Sequence, residues 1–103
     1  MDVEPGQLVK SLAGRDKGKH YLIIGFEGGR VLLADGRIRS ISKPKKKNPK
    51  HLQAYRCIFP GVKERIREGT LKDTEVRNIL NSFLTSSESH CSQYLRNSSE
   101  NKS

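Results

Sequence analysis

The chain has 103 residues, a formal net charge of +9, 33% hydrophobic residues and no tryptophan, so one small domain with a modest core is the most it can build. No run approaches the roughly 20 apolar residues of a membrane helix. The acidic start Met1-Asp2-Val3-Glu4-Pro5 lacks the apolar stretch of a secretory signal, so a cytoplasmic location without membrane contact is expected.

Residues 7–12 alternate, with Leu8, Lys10 and Leu12 on one face and Val9 and Ser11 on the other, which predicts a strand. Gly14-Arg15-Asp16-Lys17-Gly18-Lys19 follows. Two glycines four apart among cations suit a tight loop that either merely connects strands or lets backbone approach a ligand closely. Asp16 is expected to fold this loop back through bonds to backbone amides. Residues 20–26 are nearly all apolar and predict a strand covered on both faces. Gly28-Gly29 signals a two-residue hairpin into a third strand at 30–34, and Asp35-Gly36 a second hairpin into a strand at 37–42. Arg37 and Arg39 would point the same way on that strand. Residues 43–50 carry Lys43, Lys45, Lys46, Lys47 and Lys50 around Pro44 and Pro49, which predicts an extended, exposed loop. These four strands make a meander that can curl into a barrel, and a short fifth strand near 51–54 is expected to close it.

Beyond Pro60 the period changes. Residues 62–68 predict a short helix, with Val62 and Ile66 four apart and Gly69 breaking it. Asp73 is expected to N-cap a second helix reaching about Leu84. In it Val76, Ile79, Leu80 and Phe83 fall at i, i+3, i+4 and i+7 and form an apolar stripe. The stripe is read as the cover over the outer face of the 20–26 strand, intramolecular packing being the more frequent use of such a face, with docking of a partner as the alternative. Residues 85–103 hold seven serines, with Tyr94 and Leu95 as their large apolar side chains. Such a composition does not offset its ordering entropy, so a disordered tail is expected.

Charge is concentrated in one window. Residues 1–36 sum to zero and residues 68–103 to −1, whereas residues 37–67 carry eleven Lys and Arg against a single acid, Glu64. Like charges so gathered repel, and a polyanion is their natural partner. Catalysis lacks support. Asp16, Asp35 and Glu64 are scattered, and His20 and His51 have no Cys or Ser partner in sequence. The 14–19 loop lacks the spacing and the terminal Ser/Thr of a Walker loop. No cofactor is implied. Cys57 and Cys91 form no Cys-x-x-Cys pair, and His90 beside Cys91 is too little for zinc.

Gly6-Gln7-Leu8-Val9-Lys10-Ser11, the glycine-bounded basic loop and His20-Tyr21-Leu22-Ile23-Ile24 together resemble the KOW motif, a strand–loop–strand unit of several ribosomal proteins and transcription elongation factors. Asp35-Gly36-Arg37-Ile38-Arg39 leads into Lys43-Pro44-Lys45-Lys46-Lys47-Asn48-Pro49-Lys50-His51-Leu52. This stretch is similar to the KOW-type large-subunit ribosomal proteins of archaea and eukaryotes, and more closely to the bacterial KOW domain-containing RNA-binding proteins. The resemblance spans roughly residues 5–54. It implies a mainly β fold: a small SH3-like β-barrel of about five strands over 1–56. A helical extension packed on it over 57–84 and the 85–103 tail would follow. It also implies RNA binding, with ribosomal RNA or the ribosome as partner.

For that function the residues have assignable roles. Gly14 and Gly18 let the loop backbone lie along a phosphate–sugar chain, and Arg15, Lys17 and Lys19 supply cations there. Arg37 and Arg39 offer guanidinium forks, and Lys43, Lys45, Lys46, Lys47 and Lys50 act as mobile charges. His51 stacks on a base, donates to a phosphate, or makes a structural bond. The aromatics are too scattered for a stacking platform, which favours folded RNA read by shape and phosphate contacts. An alternative is a protein-interaction module of the transcription or translation machinery, which leaves the cations of 37–50 unexplained. Binding to an anionic membrane surface ranks last, because no apolar insertion accompanies the charge.

Overall fold

The structure, a computed structural model, describes residues 3–86. Strands β1 (Gln7–Ser11), β2 (His20–Glu27) and β3 (Arg30–Ala34) follow one another as expected, and Gly28-Gly29 makes the β2–β3 turn. Strand β4 (Lys45–Lys47) and a 3₁₀ turn at Pro49–His51 lead into β5 (Leu52–Ile58), and helices α1 (Val62–Glu68) and α2 (Asp73–Ser86) complete the fold. The tail expected over 85–103 lies outside the described residues from 87 onward.

The five strands form one antiparallel sheet in the order β4-β3-β2-β1-β5. The barrel is not closed, because β4 and β5 remain the two edges of an open sheet. Strand β4 is three residues long and lies between Pro44 and Pro49, which carry no amide to extend a ladder.

Both faces of the sheet are apolar, as the sequence of β2 requires. On one side Leu8, Leu22 and Ile24 pack with Val62, Leu71, Val76 and Leu80, so the α2 stripe covers the sheet. On the other side Val9, Tyr21, Ile23, Val31, Leu33, Leu52 and Ala54 form a second cluster. Alternation along β1 and β2 assigns each residue to its side.

Two expectations in the middle of the chain are corrected. Residues 37–42 form no strand, so Arg37 and Arg39 are not placed by strand alternation. The extended lysine segment contains a strand instead, paired to β3 as Val31↔Lys47 and Leu33↔Lys45. Helix α2 begins one residue earlier than capping by Asp73 implies. The Lys72 carbonyl accepts from the amides of Glu75 and Val76, and the Lys72 amide donates to Glu75 Oε1 at 3.1 Å. Asp73 is thereby left for another task, described below.

Candidate nucleic-acid interface

The β1–β2 loop is built around a buried acid. The Asp16 carboxylate accepts hydrogen bonds at 2.9 Å from the Ser11 hydroxyl, the Tyr21 hydroxyl and the Lys47 ammonium, with Lys45 Nζ 3.7 Å away. Ser11 and Tyr21 come from the strands flanking the loop. Lys45 and Lys47 alternate along β4 and so project to one side. The expected bonds from Asp16 to backbone amides are thus corrected, since its four partners are side chains. Lys47 Nζ also donates to the Ala13 carbonyl at 2.8 Å. Side chains, rather than a strand ladder, tie the edge strand to the loop.

The electrostatics follow from this packing. Burial alone would raise the Asp16 carboxyl, but bonds from Lys47, Ser11 and Tyr21 and the charge of Lys45 outweigh it and hold its pKa well below the usual carboxylate range. Burial, reinforced by the bond to Asp16, raises the Tyr21 phenol. Burial and the nearby Lys10 charge lower the His20 imidazole, whose Nε2 shares a 2.8 Å hydrogen bond with the Tyr55 hydroxyl.

Residues 35–43 make the second wall. Asp35 Oδ1 accepts from the amides of Arg37 and Arg39 at 2.8 and 2.9 Å, which folds the chain into a tight loop. The loop is pinned to α2 at two points. Arg77 Nη1 donates to the Gly36 carbonyl at 2.8 Å, and the Ile41 amide donates to Asp73 Oδ1 at 2.8 Å. At its tip Ile38 is 75% exposed between the two arginines.

Arg15, Lys19, Arg39 and Lys45 of the expected site line one recess around Ile38. Gly18 and Arg37 join Lys19 on an adjoining cleft. Lys17 is exposed on the same loop. Gly14 backs onto the buried ion pair, since a Cβ there would lie 3.5 Å from Lys47 Nζ. The structure does not bring Lys43, Lys46, Lys50 or His51 to the linings of these recesses. Lys46 points away, 3.4 Å from Glu27, and Lys50 and His51 are exposed on the 3₁₀ turn. Lys45 and Lys47 are corrected from mobile charges to held ones. Sequence reasoning missed Ile38 and Arg77 altogether.

No family model matches the chain. Over 38 residues it is 50% identical to a Bacillus subtilis (strain 168) protein described as "Putative ribosome-binding protein YbzG". The matched stretch is 37% of the chain and spans about half, 51%, of that relative's length.

The contrast between neighbouring lysines is measurable. Lys46 is 51% exposed and Lys47 10%. Lys46→Ser is expected to leave the unfolding free energy within about 0.5 kcal/mol of wild type. Lys47→Ser should cost about 2–3 kcal/mol, because Asp16 loses its nearest cation and the Ala13 carbonyl keeps only the Ser11 hydroxyl, at 3.0 Å, as donor. Equal effects in urea unfolding would show that the bridge is not formed.

Acid should destabilise the domain in two stages. His20 is held below the ordinary imidazole value of 6.5, so the unfolded chain binds its proton first. Its stabilising contribution is present above pH 6.5 and is lost as pH falls through the lowered pKa. Asp16 behaves likewise below the ordinary value of 3.8. Urea titrations at pH 7, 5 and 3 should show both losses, and His20→Asn should remove the upper one alone. A stability that rises between pH 7 and 5 would contradict the His20 assignment.

Proposed function

We propose that the chain is a non-catalytic RNA-binding module of KOW type that attaches to structured RNA of the ribosome, in the cytoplasm, on an SH3-like frame. The observation that carries this reading is the meeting of the β1–β2 loop, the 35–43 loop and β4 around one recess. Its acids are turned inward, Asp16 to lysines and hydroxyls and Asp35 to backbone amides. Arg15, Lys17, Lys19 and Arg37 stay exposed on the same loops. A surface of fixed loops with outward cations suits phosphates held in a set geometry.

The frame has support of its own. The 3₁₀ turn carries the chain from one sheet edge to the other, and the Lys45/Lys47–Asp16 bridge joins the β4 edge to the opposite loop. The named role of the partial relative supports the ribosome as partner. Among the described residues, Tyr21 and Tyr55 are buried and the half-exposed Phe26 lines neither recess, so base stacking is a minor part of the interface and phosphate contacts dominate.

Binding to a hairpin RNA is therefore expected to weaken steeply with salt. Four to six neutralised phosphates give a slope of log K against log salt of about −3.6 to −5.4, taking about 0.9 per contact as for duplex DNA. Fluorescence anisotropy across a salt series measures it. A slope near zero would overturn the RNA reading.

A further inference from the structure

Beside the recess lies a larger cleft of 370 Å³, between the β1–β2 loop, the 35–43 loop and the C-terminal half of α2. Its size falls in the range of small-ligand sites. Leu80 and Leu84 of α2 and Ile38 of the loop give it an apolar floor, and Lys19, Arg37 and Arg77 give it a cationic rim. Asp35, the acid on its lining, has Oδ1 bonded to the amides of Arg37 and Arg39. Ile38 is presented here by a loop fixed to α2, so its exposure belongs to a built surface.

An apolar floor beside two or three cations fits a group that is flat and weakly polar at one end and anionic at the other. A base inside a duplex cannot enter, but an unpaired base swings out at low cost. We infer that the cleft takes a single unpaired nucleotide of the bound RNA, its base against Ile38, Leu80 and Leu84 and its phosphate at Lys19 and Arg37. This rests on the RNA-binding reading and deepens it: loop cations hold the stem, and the cleft selects RNA with a bulged or looped base.

The test uses two end-labelled hairpin RNAs of one stem sequence, one fully paired and one with a single 2-aminopurine bulge. Both are titrated with the full chain and with Ile38→Ser at one salt concentration. The side chain is exposed, so the substitution leaves the core intact. Wild type should bind the bulged RNA about fivefold or more tightly than the paired one, and the 2-aminopurine emission should change on binding. Ile38→Ser should lose both the preference and the emission change, and whatever it costs the paired hairpin it should cost the bulged one about fivefold more. Equal wild-type affinity for the two hairpins, or a preference that Ile38→Ser keeps, overturns the cleft assignment and leaves the RNA reading standing. Absence of salt-dependent binding to either hairpin overturns both. If Ile38→Ser leaves both hairpins unaffected yet weakens cosedimentation with purified ribosomes, the cleft takes a protein segment and the assignment is again wrong.

Discussion

Asp16→Ala is expected to cost about 3–5 kcal/mol of unfolding free energy, the range seen when one partner of a buried ion pair is removed. A domain of this size has only about 5–10 kcal/mol in all. The loss has three physical parts. The Lys47 ammonium, 10% exposed, is left without its closest anion, the Tyr21 hydroxyl loses its acceptor, and the Ser11 hydroxyl is left with the Ala13 carbonyl at 3.0 Å. The tie between β4 and the β1–β2 loop goes with them. Combining Asp16→Ala with Lys47→Met should recover part of the loss, since it removes the stranded charge as well. Urea unfolding of the two single variants and the double variant forms the cycle. A cost for Asp16→Ala below about 1 kcal/mol, or a double variant no better than the sum of the singles, would show that this carboxylate does not organise the loop.

Gly36→Ala should be the most damaging glycine substitution in the site. Gly36 has φ +79°, which by itself costs an alanine about 1 kcal/mol. A Cβ would also run into the Asp73 carbonyl and come within 2.9 Å of the Arg77 amide nitrogen. Both atoms belong to the α2 backbone and have little room to withdraw. The loop must then lift from the helix, breaking the Arg77–Gly36 and Ile41–Asp73 hydrogen bonds, for a total of about 3 kcal/mol. Gly18→Ala is the control. Its φ is +91°, yet nothing lies within 4 Å of a Cβ there, so about 1 kcal/mol is expected. Corrected for folded fraction, Gly36→Ala should also weaken hairpin-RNA binding, because Arg37 and Arg39 leave their places. If thermal unfolding finds the two variants equally stable, the 35–43 loop is not anchored on α2.

What the sequence discloses, and what it hides, has a common cause. Strands β1, β2 and β3 and helix α1 are legible because alternation, Gly28-Gly29 and the Val62/Ile66 spacing act over a few residues. The α2 stripe is legible for the same reason, and its packing on Leu22 and Ile24 is what a one-sided stripe needs. Strand β4 is not. Three lysines have poor strand propensity, and they adopt it because β3 supplies a ladder and Asp16 receives the Lys45 and Lys47 heads. Lys47 lies 31 residues beyond Asp16, a separation no local pattern reports. Asp35-Gly36 misleads for the opposite reason. As a turn signal it is sound, but the Asp35 carboxylate caps the Arg37 and Arg39 amides, and the chain turns into a loop instead of a returning strand. Composition therefore discloses the cations, while their grouping around Ile38 belongs to tertiary structure alone.

Strands β4 and β5 are consecutive in the chain yet stand at opposite edges of the sheet, and this sets the order of assembly. The β2–β3 hairpin closes through neighbours in sequence and can form as soon as residue 34 is available. Strand β1 adds to it across the 14–19 loop. Its other flank waits, because the Val9↔Ala54 pairing joins segments about 45 residues apart, and closing so long a loop carries an entropic cost that short turns do not. Topologies dominated by such pairings fold in milliseconds to seconds rather than microseconds. During that interval the apolar side chains of β1 have only part of their cover. The lysine-rich segment threaded between β3 and β5 then keeps the half-made sheet charged, and mutual repulsion between copies holds them apart until the last strand arrives.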